Sequence, residues 1–133
     1  MAAEDNIALI KAYFADRARG DVDAALNRVT DDVTHSFMFE MPGAPSVWKG
    51  KQGLKDFAAH VKKMLPHGSS MDVQKWHATD DAVIMEAIGS GKAHNGKDYR
   101  NRYCFIFDIR DGKIAAIREY TDSHYSRVTL VGP

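Results

Sequence analysis

Cysteine is almost missing from this chain. One thiol, Cys104, among 133 residues excludes an internal disulfide and fits a reducing compartment. It lies in the apolar run "CFIF" and reads as a small buried hydrophobe. Neither sign of charge is in excess, because lysine plus arginine total 18 and aspartate plus glutamate total 18. A phosphate-tracking surface normally carries a basic surplus, so no nucleic-acid partner is expected. Long hydrophobic runs are also lacking. Nothing approaches the ~18 apolar residues of a membrane span, and "MAAEDNIALIKAY" places acids where a secretory leader would carry a basic patch. The expectation is a soluble, cytoplasmic protein without a membrane partner. His60, His67, His77, His94 and His124 show no ligand spacing such as His-x-x-x-His, so neither a metal nor another cofactor is expected. Repeats, low-complexity tracts and linkers are absent, which leaves one domain over residues 1–133.

What is present is periodicity. In "EDNIALIKAYFADRA", residues 4–18, Ile7, Ile10, Phe14 and Ala18 recur at helical spacing. Gly20 suits the position past a helix end, and Asp21 the cap of the next helix, which Val22, Ala25, Leu26 and Val29 mark as short. "VTHSFMFE", residues 33–40, reads as a strand, and "MPGAPSVWKG" as a loop. A third helix runs from about Lys51 to Leu65, with Leu54, Phe57, Val61 and Met64 on one face and Pro66 as its stop. From Met71 the pattern changes to strands separated by "TDD", "NG" and "RDG". Asn-Gly and Asp-Gly between such runs are strong hairpin signals. The order is helix, helix, strand, helix, then a four-stranded antiparallel meander.

Helices segregated from an antiparallel sheet make an α+β architecture. The three helices pack in the concave face of a strongly curved sheet, giving a cone-shaped α+β barrel with a gap at one end. Such a gap suits a small molecule.

The stretches "YFADRARGDVDAALNRVTDDV", "WKGKQGLKDF" and "NGKDYRNRYCFIFDIRDGKIAAIREYTD" resemble the SnoaL-like, ketosteroid isomerase-like branch of the nuclear transport factor 2-like superfamily. The resemblance spans about Ile7 to His124. It implies the cone fold and a two-fold dimer through the outer sheet face. It also implies site residues. Tyr13 falls at or near the tyrosine that ketosteroid isomerases carry on their first helix. Phe37, Phe39 or Met41 occupies the place of their proton-shuttling aspartate, and none of these can take a proton. Tyr103 matches their second aspartate and could still donate a hydrogen bond. Asp122 resembles the aspartate that SnoaL-type polyketide cyclases carry late in the last strand.

Strand alternation narrows the choice of acid. Asn101, Tyr103, Phe105, Phe107 and Ile109 form the bulkier, more apolar set and should face the helices. A two-residue "DG" turn would pair Ile109 with Ile114 and bring Asp122 to that face. A three-residue "RDG" loop would change the register by one and turn Glu119 inward, and a late bulge could admit both. An inward carboxylate loses solvation, which favours acid–base work. His35, on the same strand face as Phe37 and Phe39, is a further proton carrier.

The expected catalytic residues are therefore Asp122, Glu119, His35 and Tyr13. Asn101, Tyr103, Phe105, Trp48, Phe37 and Phe39 are the expected substrate contacts, with Trp48 closing over a flat ligand. The expected activity is cofactor-independent acid–base chemistry (isomerase, cyclase or dehydratase) on a small apolar or aromatic carbonyl compound. Two alternatives stand beside it. One is a non-catalytic binding or dimerisation module. The other is an epoxide hydrolase, which needs an inward Asp–Arg–Asp set, whereas Arg102 falls on the outward one. Cys104, Ile106, Ala116 and Tyr120 make the outer face apolar, and a second copy of the chain would cover it as a homodimer.

Overall fold

The computed structural model describes residues 2–132. Helix α1 (Ala3–Ala18) buries Ile10 and Tyr13 on one face and ends before Gly20, whose φ of +75° a side chain would resist. Asp21 then caps α2 (Val22–Leu26), its carboxylate accepting from the Ala24 backbone N–H at 3.0 Å. Val29 does not continue that helix. It opens strand β1 (Val29–Phe37) and pairs with Ile114, a position that suits a β-branched side chain. The strand thus begins earlier than residue 33 and stops before Met38.

The loop over residues 41–50 contains one short edge strand, β2 (Val47–Lys49), paired to β1. Three residues are too few to show a period in sequence. Helix α3 (Gly50–Met64) follows and buries Leu54 and Phe57. The meander comprises β3 (Ser69–Ala78), β4 (Ala82–Lys92), β5 (Asp98–Arg110) and β6 (Lys113–Thr121). A short helix α4 (Ser123–Ser126) and a π-helical turn (Arg127–Val131) close the chain.

One six-stranded sheet holds the strands in the order β2-β1-β6-β5-β4-β3. Only β1 against β6 is parallel; the other neighbours are antiparallel. The architecture is α+β, with the helices against a curved, mostly antiparallel sheet. Its core joins Ile10 and Leu26 from the helices to Val33, Met85, Phe107 and Ile117 from the sheet. No described helix is long and apolar enough to cross a membrane.

The β5–β6 turn decides which side chains look inward. Asp111 and Gly112 have φ of 53° and 72°, the two left-handed residues of a two-residue type I′ turn. Arg110 faces Lys113 and Ile109 faces Ile114, yet the next pair is Asp108 with Ala116. Ala115 is therefore an extra, bulged residue, and it reverses the parity of everything beyond it. Phe105 pairs with Glu119 as a result. The two-residue turn forms, but the bulge lies beside the turn and not late in the strand, so Glu119 takes the inward face.

Asp16, only 3% exposed, ties α1 to the chain entering β1. Its carboxylate accepts from Arg28 Nε at 2.6 Å and from Arg19 at 2.8 Å. The Arg28 hydrogen bond, opposed by burial and reinforced by Arg19, holds the Asp16 carboxyl below its ordinary value of 3.8. A carboxyl lowered on folding stabilises fully above its unfolded value and stops doing so as pH falls through the folded one. Asp16→Asn should therefore lower the melting temperature at pH 7, and the gap to wild type should close below pH 3.8. Thermal unfolding across that range, followed by circular dichroism, checks this.

Candidate functional site

Between α1, α3 and the concave sheet face lies a cavity of about 1350 Å³. Its walls are mostly aromatic: Tyr13, Phe37, Phe57, Tyr103, Phe105 and Phe107 all border it. Tyr103, Phe105 and Phe107 come from alternate positions of β5 and stack in a row, with centroids 5.5 Å and 5.9 Å apart. Phe39 stacks on Phe37 at 5.0 Å and also lines the cavity, as does Met41.

Two polar side chains meet in this apolar wall. Phe37 of β1 runs parallel beside Glu119 of β6, and His35 lies two residues back on the same face. His35 Nε2 lies 2.9 Å from Glu119 Oε1, and the two residues are 2% and 8% exposed. The imidazole rests on the Phe57 ring at a centroid distance of 4.1 Å. Its Nδ1 is fully buried without a partner. Among the described residues Glu119 Oε2 also has no hydrogen-bond partner, but it is not one of the sealed polar atoms and the residue borders the cavity. One oxygen is thus engaged by the histidine and the other is open to a ligand.

Tyr103 supplies a hydroxyl nearby. Burial holds its proton well above the usual tyrosine range, with the neighbouring Tyr99 and the Glu119 charge adding to the effect. The Tyr103 hydroxyl is hydrogen-bonded to that of Tyr99, which also lies 2.8 Å from Ser126 Oγ. Asn101 Nδ2 donates to the Tyr99 oxygen at 3.1 Å, to Ser126 Oγ at 2.9 Å and to the Asp122 carbonyl at 3.0 Å. With Asn101 donating to Tyr99, the Tyr99 proton can go to Tyr103, leaving the Tyr103 proton free for the cavity.

Several expected contacts lie elsewhere. Asp122 is exposed; its carboxylate caps α4 by accepting from the Tyr125 backbone N–H at 3.1 Å. The bulge at Ala115 and the strand end at Thr121 together remove it from the inward face. Asn101 is buried behind the cavity wall and does not border it. Trp48 is likewise outside the lining, packed 5.6 Å from Phe57 and 5.5 Å from His60. It supports the wall from behind and does not close over the opening. Arg102 is exposed and does not border the cavity, so no inward Asp–Arg–Asp set forms.

Residues missed in sequence include Tyr99, Ser126, Gly89 and Arg17, all of which border the cavity. Tyr99 had a usable signal, since it alternates with Asn101 and Tyr103. Gly89 has a steric reason: a Cβ there would stand 2.8 Å from Tyr103 Cε2.

This chain belongs to the SnoaL-like domain family, whose model matches residues 10–117. No curated protein matches it significantly. Among solved structures, a nuclear transport factor 2-like protein from Anabaena variabilis is 26% identical, with a TM-score of 0.76 over 90% of this chain and 88% of its own. A candidate polyketide cyclase from Xanthomonas campestris is 23% identical, with a TM-score of 0.81 over 96% and 98%. TerC, co-crystallised with polyporic acid, is 22% identical, with a TM-score of 0.86 over 95% and 98%. These likenesses place the fold in the nuclear transport factor 2-like superfamily.

The Gly89 contact gives a direct check on the site. Gly89→Ala should cost about 1–3 kcal/mol, as overpacking does, because the Tyr103 ring stacked on Phe105 must move aside. Urea unfolding measures the loss, and the Tyr103 ring resonances should shift with it.

Proposed function

We propose that the protein catalyses cofactor-independent proton transfer on a small apolar or aromatic carbonyl compound, as an isomerase, cyclase or dehydratase. The observation that carries this reading is the Glu119–His35 pair in an otherwise aromatic cavity, with one carboxylate oxygen uncommitted. The family and the structure of TerC with polyporic acid support a pocket for flat organic molecules.

Glu119 Oε2 would take a proton from the carbon next to the carbonyl. The C–H electrons become the new C–C π bond, and the carbonyl π electrons move onto oxygen. The Tyr103 O–H, kept protonated by its burial, donates a hydrogen bond to that oxygen as its charge develops. Returning the proton to another carbon completes an isomerisation. Attack of the enolate carbon on a second carbonyl closes a ring. His35 holds Oε1 and so orients the carboxylate, while Tyr13, which borders the cavity and whose hydroxyl has no hydrogen-bond partner among the described residues, is the second donor to a ligand oxygen. This assignment replaces the aspartate of the first strand, where Phe37, Phe39 and Met41 all border the cavity without an ionisable group.

Deuterium exchange and turnover on a panel of cyclic ketones test the reading. Glu119→Gln should lower either rate about 10²–10⁴-fold, the usual worth of a positioned general base, while Asp122→Asn should leave it near wild type. A full rate in Glu119→Gln overturns the mechanism. A ligand held tightly but returned unaltered by the wild type favours capture without conversion.

The outer sheet face carries Ile84, Ile88, Cys104 and Ile106, all part-exposed, and Tyr120 at 39% exposure. Charged groups interrupt it: Glu86 stands between Ile84 and Ile88, Arg102 pairs across from Ile88, and Asp108 and Arg118 form an ion pair at 2.6 Å. A second copy of the chain, presenting the same face, is the partner we assign to it. Sedimentation should give twice the chain mass, and Ile106→Glu should halve it.

A further inference from the structure

We infer that the ligand carries a carboxylate and that Arg17, which borders the same cavity as Glu119, anchors it. This deepens the proposed function and rests on it for the chemistry at Glu119, though not for binding. Arg17 sits in the last turn of α1 and borders the cavity. Its guanidinium carbon lies 5.2 Å from the Phe57 ring centroid and 6.0 Å from that of Tyr13. Two aromatic rings therefore flank the guanidinium and favour its charge there.

Its charge is unused by the described residues. Arg19, Arg28, Arg110 and Arg118 each have a carboxylate within 2.8 Å. Among the described residues Arg17, Arg100, Arg102 and Arg127 have no ion pair and no hydrogen bond from the guanidinium, and of these four Arg17 is the one that borders this cavity. A planar fork of donors, flanked by aromatic rings and left without an acceptor, matches a carboxylate bidentately. Arg17 and Glu119 border one cavity and form no ion pair with each other, so the guanidinium remains available to a ligand there. Tyr13 lies in the wall with both, and its free hydroxyl can serve the same ligand.

The surrounding charge agrees. The chain is neutral overall, but the cavity border carries Arg17, Lys55, Lys62 and Lys63 against only Asp23 and Glu119. A basic mouth on an apolar hollow draws in anions and disfavours cations. The ligand that fits is an amphipathic one: an aromatic or alicyclic carbonyl body with a single acid group at one end.

Calorimetric titration with 2-naphthoate and 2-naphthamide separates the acid from an isosteric neutral body. Wild type should bind the acid about tenfold or more tightly than the amide, as expected for a charge-assisted bidentate contact. That preference should weaken with added salt. Arg17→Met keeps the apolar stem over Phe57 and should abolish the preference while leaving amide affinity nearly unchanged. Arg17→Lys should retain part of it. Equal binding of acid and amide, saturable binding of neither, or an equal loss of both in Arg17→Met overturns the inference. None of these readouts needs turnover, so an inactive panel of ketones bears on the role of Glu119 and leaves that of Arg17 standing.

Discussion

A single bulged alanine sets the chemistry of this cavity. Ala115 adds one residue to β6 just after a two-residue turn, and the alternation of side chains beyond it is reversed. Without that insertion Glu119 would face outward and Arg118 inward, placing a guanidinium against Phe105 and Phe107. With it, Ile117 and Glu119 enter the concave face and Arg118 pairs with Asp108 outside. The acid then meets His35 because β1 runs parallel beside β6, the one parallel contact in the sheet. Register and topology together thus set the carboxylate beside the imidazole.

The cost of burying that acid is met locally. His35 satisfies one carboxylate oxygen, and Phe57 and Phe37 hold the imidazole so that it cannot swing away. Burial strengthens the interaction by excluding competing water, and the same exclusion would penalise either partner left alone. Tyr103 stands on the same principle. Its hydroxyl is kept protonated by the apolar wall, and the Asn101–Tyr99 chain behind it can present the Tyr99 proton to its oxygen. Gly89 gives the Tyr103 ring the room to stand there.

Much of the scaffold could be read from residue order, because helix stripes and Asn-Gly or Asp-Gly turns are local signals. Ile10, Leu54 and Phe57 fell on their buried faces, and the meander of β3 to β6 followed its turns. The short strand β2 was invisible, as three residues carry no period. The choice between Glu119 and Asp122 was also beyond local reading. It depends on a bulge whose residue, alanine, has no distinctive preference. Asp122 looked like a strand-end acid because "EYTD" does not show that the strand stops at Thr121 and that Asp122 begins a helix. Arg17 was hidden for another reason: a basic residue in the last turn of a helix is ordinary in sequence, and only the fold reveals that it stands over two rings without a counter-charge.

The final turns of the chain carry a meaning that reaches beyond packing. Ser126, in α4, shares its hydroxyl with Tyr99 and Asn101, while His94 and Asn95 grip the carbonyls of Leu130 and Thr129 from the β4–β5 hairpin. Asn101 offers two hydrogens to three acceptors, so the hydroxyls around it must share them. The tail is therefore wired into the same set of rotating protons that orients the phenol facing the hollow. The seating of these last turns and the arrangement of hydrogens behind the Tyr103 phenol meet at one hydroxyl, that of Ser126.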